Sequence, residues 1–284
     1  MIVVTAATGH LGRHVVDQLL KRVPAGEIAV AVRNVEKAAD LAALGVDVRY
    51  ADYEKPESLA DAFRGTDKVL LISASEIGKR LPQHRNAVEA IKNSGAKLLA
   101  YTSILKADTS GIGLAKEHLA TEEMIRESGV PFVFLRDGWY LENYTEHFGP
   151  ALQYGAINGV ADDGKVSAAA RADFAAAAVE ALTGSGHENQ VYELAGDEGF
   201  TLSELAAELS RASGKTIVYN DVTPEQYRAI LVGAGLPEFV ADMFVDWDLA
   251  IKRGELVDDS KTLSRLIGRP TQPLADAVAA AVKG

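Results

Sequence analysis

The sequence contains no cysteine, and this absence excludes several kinds of chemistry at once. Disulfide bonds, thiolate nucleophiles, iron–sulfur clusters and cysteine zinc sites all require the thiol group. The six histidines are scattered along the chain, without the close pairs that are typical of metal ligands. We therefore expect no metal site, and a reducing compartment suits a chain of this composition.

Long hydrophobic runs and basic clusters are also missing. No apolar stretch approaches the ~18 residues that a membrane-spanning helix needs, and the N-terminal segment reaches Gly9 without forming a secretion signal. The net charge of −11 repels the phosphates of nucleic acids and of anionic lipids. These features predict a cytoplasmic protein with neither a nucleic-acid partner nor a membrane partner.

The first half of the chain alternates between short apolar runs and helical patterns. Each run is continuous rather than alternating, which is typical of parallel strands buried on both faces. The predicted strands are Ile2–Thr5, Ile28–Val32, Val46–Tyr50, Val69–Ile72, Leu98–Thr102 and Phe132–Leu135, and the predicted helices are Leu11–Arg22, Val35–Leu44, Pro56–Arg64, Leu81–Ser94 and Ala115–Ser128. This alternation predicts an α/β protein with a Rossmann-type doubly wound parallel sheet.

After Trp139 the alternation breaks. The pattern there predicts helices at Phe148–Tyr154 and Arg171–Thr183, a turn at Ala161–Lys165 and a strand at Val191–Leu194. After that strand the remainder is expected to be helical, with one strand at Thr216–Tyr219. We therefore expect a Rossmann-type domain over residues 1–136, to which later segments return. Residues 137–284 would form a smaller, mostly helical C-terminal lobe.

A glycine-containing turn joins the first strand to the first helix. Residues 5–12 are Thr-Ala-Ala-Thr-Gly-His-Leu-Gly. In such a turn the backbone N–H groups and the helix N-terminus can face a diphosphate. A glycine pattern alone has little specificity, but its place between a buried strand and an amphipathic helix indicates dinucleotide binding.

The usual dinucleotide pattern has glycine where this chain has Ala6. Alanine tolerates the turn only with a negative φ, and its methyl group crowds the approaching ligand. We expect a harmless exchange between two small residues, because Gly9 and Gly12 remain for close approach and helix packing. The alternative is a weakened affinity for the cofactor.

The second predicted strand ends in Arg33 and Asn34, where an NAD-preferring site usually carries an acidic residue. A guanidinium group can hold a 2′-phosphate through two hydrogen bonds, and Lys37 adds positive charge. The alternative is an ordinary solvent-exposed arginine. We interpret the basic residues that follow this strand as evidence of a preference for NADPH, with NADH possible as a second cofactor.

The residues that follow the third and fourth predicted strands each have two possible roles. Asp52 follows the third strand and either meets the adenine edge or caps the next helix. Ser73, Ala74 and Ser75 end the fourth strand, where small residues either allow close approach of the cofactor or merely terminate the strand.

Ordinary short-chain dehydrogenases use a tyrosine followed four residues later by a lysine, which lowers the tyrosine pKa for proton exchange. None of the nine tyrosines in this chain has that lysine. The helix where the pair would fall has His118 and Glu122 at the same spacing. This argues against a sugar epimerase or an alcohol dehydrogenase. His118 is a candidate proton donor near neutral pH, and a surface or capping role is the alternative.

Several segments together resemble the NmrA-like atypical short-chain dehydrogenases, and within them the members that reduce quinones and, less closely, triphenylmethane dyes. These segments are TAATGHLG, AVRN, LLISASE, AYTSIL, LAKEHLATE, RDGWYLENY, VYELAGD and DDSKTL, so the resemblance runs through the whole chain. The resemblance implies cofactor contacts from Ala6, Ala7, Thr8, Gly9, His10, Leu11, Gly12, Arg33, Ser73, Ala74, Ser75, Asp137, Gly138, Trp139, Tyr140, Leu141 and Glu142. Asp137 replaces an asparagine of the relatives, and a carboxylate would disfavour a neighbouring phosphate.

The resemblance implies an NADPH-dependent quinone reductase that transfers hydride directly, since no flavin motif is evident. A quinone accepts hydride readily. Positioning of the quinone ring against the nicotinamide can therefore supply most of the catalysis, and a strong protein acid is less necessary. We hypothesise that Trp139, Tyr140, Asn143 and Tyr144 line a flat apolar slot for the quinone, with residues 137–284 mainly on the substrate side. The alternative is that these aromatic residues are core.

Two rival functions remain open on the sequence alone. One is a redox sensor that binds NADP(H) without turnover, and the other is a reductase of another flat electrophile such as a triphenylmethane dye. The sequence does not distinguish a monomer from a homodimer.

Overall fold

The computed structural model describes residues 1–74, 76 and 78–283. The chain divides into two compact units. Unit 1 contains Met1–Asp108, Leu114–Asp137 and Arg171–Leu194. Unit 2 contains Thr109–Gly113, Gly138–Ala170 and Ala195–Gly284. The division near residue 137 thus falls between Asp137 and Gly138, and the segment 171–194 returns to unit 1.

The strands of the described residues are, in chain order, β1 (Ile2–Thr5), β2 (Ile28–Val32), β3 (Asp47–Tyr50), β4 (Lys68–Leu71), β5 (Leu98–Ile104), β6 (Phe132–Asp137), β7 (Ala156–Gly159), β8 (Lys165–Val166), β9 (Gln190–Leu194), β10 (Phe200–Thr201) and β11 (Val218–Asp221).

The helices are α1 (His10–Leu19), α2 (Ala39–Ala43), α3 (Pro56–Ala62), α4 (Arg80–Ser94), α5 (Ala115–Ser128), α6 (Glu142–Thr145), α7 (Phe148–Tyr154), α8 (Arg171–Thr183), α9 (Leu202–Ser213), α10 (Pro224–Gly233), α11 (Glu238–Lys252), α12 (Thr262–Ile267) and α13 (Leu274–Lys283). Short 3₁₀ turns lie at Ala25–Glu27 and Glu36–Ala38.

Unit 1 is built on a parallel sheet with the strand order β3-β2-β1-β4-β5-β6-β9. The order reverses between β1 and β4, which is the topological switch point of a doubly wound fold. All seven residues of β5 are buried, so helices must cover both faces of the sheet. Helix α1 packs against α8, while α4 packs against both α3 and α5. The predicted Rossmann-type sheet is confirmed.

The core of unit 1 depends on a few large side chains between the sheet and its helices. Phe63, Tyr101 and Phe134 are fully buried, and the ring of Phe134 lies edge-on to that of Tyr101. Burying an aromatic side chain of this size removes 150–250 Å² of surface from water, at about 25 cal/mol per Å². These side chains therefore hold the strand ends, and the residues that follow them, in fixed positions.

Three helices of unit 1 are shorter than the sequence predicts, and one of them, α3, ends at Ala62 rather than Arg64, where the Arg64 N–H bonds to the Asp61 carbonyl. Helix α1 ends at Leu19 rather than Arg22, because the Arg22 N–H bonds to the Leu19 carbonyl and tightens the last turn ahead of Pro24. The region predicted as one helix at Val35–Leu44 begins as the 3₁₀ turn and becomes α-helical only from Ala39.

Unit 2 is mostly helical, as predicted, but it holds more β-structure than the sequence indicates. Strands β7 and β11 pair in parallel, and β8 and β10 pair antiparallel. The strand expected at Thr216–Tyr219 lies at Val218–Asp221 instead. The expectation of helix after β9 was wrong for β10, and neither β7 nor β8 was predicted. These segments of two to four residues lack the apolar run of a buried strand.

Across the described ranges, no helix combines the length and the hydrophobicity that a bilayer crossing requires.

Candidate functional site

A cleft of about 410 Å³ opens in unit 1 at the carboxyl ends of β1, β2 and β4. This is the edge of the sheet where doubly wound proteins bind their ligands. The predicted residues that line it are Ala6, Thr8, Gly9, His10, Leu11, Gly12, Arg33, Ser73 and Ala74. Lys37 and Asp52 line it too. Ala7 is fully buried, and Ser75 lies outside the described residues.

Unit 2 contains a second cleft, and its charge distinguishes it from the first. Asp197, Glu198, Glu204 and Glu208 line this second cleft. Four acidic side chains in one cleft repel a diphosphate. The cleft of unit 1 balances Asp52 and Glu76 with Arg33 and Lys37, and it adds the positive end of a helix. The cleft of unit 1 is therefore the candidate dinucleotide site.

The turn between β1 and α1 is held by its own backbone. The Gly9 N–H bonds to the Ala6 carbonyl at 2.9 Å, and the Ala6 N–H bonds to Ala31 O at 3.1 Å. Gly9 caps helix α1 without a side-chain hydrogen bond, and the first turn of α1 has no acidic residue. The first N–H groups of the helix and its positive dipole end therefore suit an anionic ligand.

Gly12 is the residue that brings the helix close to the strand. A Cβ at this position would lie 2.4 Å from the Ala6 carbonyl oxygen and 2.8 Å from the Ala7 Cα. Any larger residue would have to push backbone atoms apart. The third position of the glycine pattern thus has the packing role that its spacing predicts.

Ala6 adopts φ of +49°, in the left-handed region. The expectation that alanine would occupy this turn with a negative φ was wrong. The hydrogen bonds of the turn and the tight packing of Gly12 hold the backbone in this conformation. A left-handed alanine costs about 1 kcal/mol, so the exchange from glycine carries a strain that the sequence did not reveal.

The tip of β2 brings three polar residues to the cleft. Arg33, Asn34 and Lys37 all line it, and Arg33 Nη1 lies 2.8 Å from Glu76 Oε1. The Asn34 side chain accepts hydrogen bonds from the Glu36 and Lys37 N–H groups and so shapes the 3₁₀ turn. The corner therefore presents a guanidinium group and an ammonium group to the cleft.

Asp52 does not cap the next helix, because the N-cap residue of α3 is Lys55, and its contact with the adenine edge stays a prediction. It lines the cleft, and its Oδ1 accepts a hydrogen bond from the Glu54 N–H ahead of helix α3.

Side chains, rather than further strand pairing, hold the backbone just beyond the end of β4. The Ser73 N–H donates to Thr102 Oγ1, and the Ala74 N–H donates to Nε2 of the fully buried His84. Arg80 Nε donates to the Ala74 carbonyl. Burial, and then the nearby Arg80 charge, lower the pKa of His84 to about 3, so the ring is neutral and Nε2 can accept.

His118 is a core residue rather than a surface or capping residue. Its side chain is buried, and Nδ1 lies 2.8 Å from the Tyr101 hydroxyl. Burial, with the charge of Arg80, holds the pKa of His118 well below its usual range. A neutral ring at neutral pH is a poor proton donor, so these contacts favour a structural role. Glu122 is likewise buried and bonded to Arg136 and Ser103.

Asp137 ends β6 with its carboxyl group almost fully buried. Its Oδ1 has no hydrogen-bond partner among the described residues, and burial raises its pKa well above the usual value. Burial therefore favours the protonated carboxyl form. A protonated carboxyl group carries no charge and resembles an asparagine amide in size, so this form would not repel a neighbouring phosphate.

The predicted substrate residues belong to unit 2. The backbones of Trp139 and Leu141 bond to Ala169, and Tyr140 forms a parallel bridge with the same residue. The ring of Trp139 lies 5.2 Å from that of Trp247. Leu141 is buried, whereas Gly138, Trp139, Tyr140, Glu142, Asn143 and Tyr144 are partly exposed. The partly exposed residues keep surface for a ligand. Contact of Trp139, Tyr140, Asn143 and Tyr144 with a quinone stays a prediction, as does contact of residues 137–142 with the cofactor.

The sequence did not single out Tyr53, Glu76 or Gln83, which also line the cleft of unit 1. Only their nearness to the strand ends could have identified them. Within residues 1–74, 76 and 78–283, no group of three or more histidine or acidic side chains is arranged to hold a metal ion.

Comparisons with known proteins agree on one family. The profile of the NmrA-like family matches residues 1–262. Quinone oxidoreductase 2 of Escherichia coli is 51% identical over 278 residues, which cover 98% of this chain and 97% of that protein. The crystal structure of the E. coli NADPH-dependent quinone oxidoreductase complexed with NADPH superposes with a TM-score of 0.97 at 50% identity, covering 99% of both chains. The Citrobacter sp. triphenylmethane reductase complexed with NADP(H) gives 0.96 at 42% identity, covering 99% of this chain and all of that one.

Replacing Ala6 by glycine tests the strain at the turn. We expect Ala6→Gly to raise the free energy of unfolding by about 1 kcal/mol, because glycine occupies the left-handed region without a steric cost. Urea denaturation measures the change. Ala7→Gly, at a position without a positive φ, is the matched control and should lower stability by about 1 kcal/mol. A destabilised Ala6→Gly variant would contradict the strain.

Replacing Asp137 by asparagine tests the buried carboxyl group. Because the folded-state pKa is raised, folding takes up a proton above the unfolded pKa of about 3.9, and wild-type stability falls as pH rises from there. Asp137→Asn removes this loss and should be the more stable protein at pH 7, by about 1–3 kcal/mol. Thermal unfolding between pH 4 and pH 8 measures the difference, with the exposed Asp61→Asn as control. A difference that does not grow with pH would refute the assignment.

Proposed function

The chain belongs to the NmrA-like family, and we propose that it is an NADPH-dependent reductase that transfers hydride directly to a quinone. The cleft of unit 1 carries this proposal, because it combines an acid-free helix N-terminus with Arg33 at the tip of β2. The half-identical E. coli relative, which matches over nearly its whole length, is a quinone oxidoreductase.

The residues of the cleft fit a dinucleotide in three respects. The N–H groups at the start of α1 would hold the diphosphate. The Arg33 guanidinium would hold the 2′-phosphate through its planar fork, with Lys37 adding positive charge. Ser73 and Ala74, whose N–H groups are already bonded, would let the ribose approach a rigid strand end. The bound nicotinamide would supply the hydride.

The quinone would be held by residues of unit 2. We assign Tyr140, Asn143 and Tyr144, together with Trp139, to contact with the quinone, with the Asn143 amide as a hydrogen-bond donor to a carbonyl oxygen. A reduced quinone is far less basic than an alkoxide, so orientation and exclusion of water replace a strong protein acid. The missing tyrosine–lysine pair and the buried, neutral His118 agree with this chemistry.

Two alternatives make different use of the same cleft. A redox sensor would bind NADPH without consuming it. A reductase of another flat electrophile would consume NADPH with a triphenylmethane dye, as the name of the Citrobacter relative indicates for that protein.

Quinone turnover tests the proposed activity. We expect purified protein to oxidise NADPH steadily in the presence of a simple benzoquinone, with one hydroquinone formed per NADPH. Tyr140→Ala and Asn143→Ala should each lower kcat/KM by about tenfold, since positioning supplies the catalysis. Tyr154→Ala, at an exposed position, is the control. NADPH binding without turnover would support the sensor, and turnover with dyes alone would support the second alternative.

Removing the Arg33 side chain tests cofactor selectivity. We expect Arg33→Ala to raise the Kd for NADPH by about tenfold or more, because a charge-assisted bidentate contact is lost. The Kd for NADH should change by less than about twofold, as NADH has no 2′-phosphate. Arg22→Ala removes the same charge from an exposed arginine that pairs with Glu180, and it should leave both constants unchanged. An unchanged NADPH affinity in Arg33→Ala would exclude this role.

A further inference from the structure

A chain of exposed charges runs along the rim of the cleft beside Arg33. Arg33 Nη1 lies 2.8 Å from Glu76 Oε1, and Glu76 Oε2 lies 3.3 Å from Lys79 Nζ. The same Lys79 ammonium group lies 3.2 Å from Glu54 Oε1. Glu76 follows the end of β4, and it lines the cleft together with Arg33.

The Glu76 carboxylate accepts a hydrogen bond from the Arg33 guanidinium group. In the proposed function, the same guanidinium group binds the 2′-phosphate. A phosphate gains most from arginine when it takes two parallel N–H donors, and the carboxylate already accepts from one of the terminal nitrogens. If the phosphate displaces Glu76, an ion pair is lost. If both share the guanidinium group, two anions lie within a few ångströms of each other and repel.

Glu76 stays ionised at neutral pH. Hydrogen bonds from Lys79 first, and then from Arg33, lower the pKa of this carboxyl group. Lys79 does not fully cancel the charge of Glu76, since its ammonium group is shared with Glu54. The carboxylate therefore remains a competing anion at the corner that would bind the 2′-phosphate.

We propose that Glu76 is a specificity-determining residue that competes with the 2′-phosphate of NADPH for Arg33. This inference rests on the proposed function. Glu76 weakens the binding of NADPH and leaves the binding of NADH nearly unchanged, because NADH places a neutral hydroxyl group at the same point. Glu76 thereby reduces the difference in affinity between NADPH and NADH, and this allows NADH to serve as a second cofactor.

Removing the negative charge of Glu76 tests the competition. We expect Glu76→Gln to lower the Kd for NADPH by about fivefold, the scale of an exposed ion pair, and to change the Kd for NADH by less than about twofold. Glu54→Gln is the matched control, because it removes the same charge from a residue that contacts Lys79 but not Arg33. Titration calorimetry of both variants, with thermal unfolding to verify their folding, provides the constants.

Binding of the adenosine end of the cofactor can be measured separately with two smaller nucleotides. Adenosine 2′,5′-bisphosphate carries the 2′-phosphate, whereas AMP lacks it. Glu76→Gln should bind the bisphosphate about fivefold more tightly and AMP as the wild type does.

Two outcomes would overturn the inference, and they are distinguishable from failure of the proposed function. Unchanged or weaker NADPH binding by Glu76→Gln, or equal tightening of NADPH and NADH, contradicts the competition alone. Wild-type protein that binds neither nucleotide contradicts the proposed function and the inference together.

Discussion

Helix α1 lies so close to strand β1 that only glycine fits at residue 12, where a Cβ would be 2.4 Å from the Ala6 carbonyl. This close packing makes the connecting turn short and holds Ala6 in the left-handed region. It also places the N-terminus of α1, which has no acidic residue in its first turn, directly after the carboxyl end of β1. The proposed diphosphate binding, and with it the proposed reductase activity, would depend on this junction.

The neighbouring strand ends show how the molecule separates neutral and charged groups. Inside unit 1, the neutral ring of His84 accepts the Ala74 N–H, and it is buried by the same core that encloses Tyr101 and His118. Along the rim of the cleft, Arg33, Glu76 and Lys79 remain charged and exposed to competition. The end of β4 is thus fixed by buried hydrogen bonds, whereas the proposed cofactor selectivity would depend on ion pairs at the surface.

The sequence predicts most of unit 1 because its elements follow from local patterns. A continuous apolar run such as Leu98–Thr102 is stable only in a sheet that is covered on both faces. Helices α4 and α5 end at Ser94 and Ser128, as predicted, and Gly95 and Gly129 follow them with positive φ values. The candidate roles of the glycine-containing turn and of Arg33 could be predicted because the turn follows β1 and Arg33 follows β2.

What the sequence did not predict depends on contacts distant along the chain. The φ of Ala6 is set by packing against Gly12 and by bonding to Ala31, and the burial of His118 is set by Tyr101 and the sheet. The pairing of Glu76 with Arg33 joins residues 43 positions apart. Strand β8 forms because Lys165 and Val166 pair with Thr201 and Phe200. A segment of two residues is too short to show a periodic pattern in the sequence.

A crystal structure of this protein with NADPH bound would show directly whether the junction of β1 and α1 binds the cofactor. We expect the diphosphate to accept hydrogen bonds from backbone N–H groups between Ala6 and Gly12, and the 2′-phosphate to contact Arg33. NADPH bound with its diphosphate away from that turn would contradict this role of the junction.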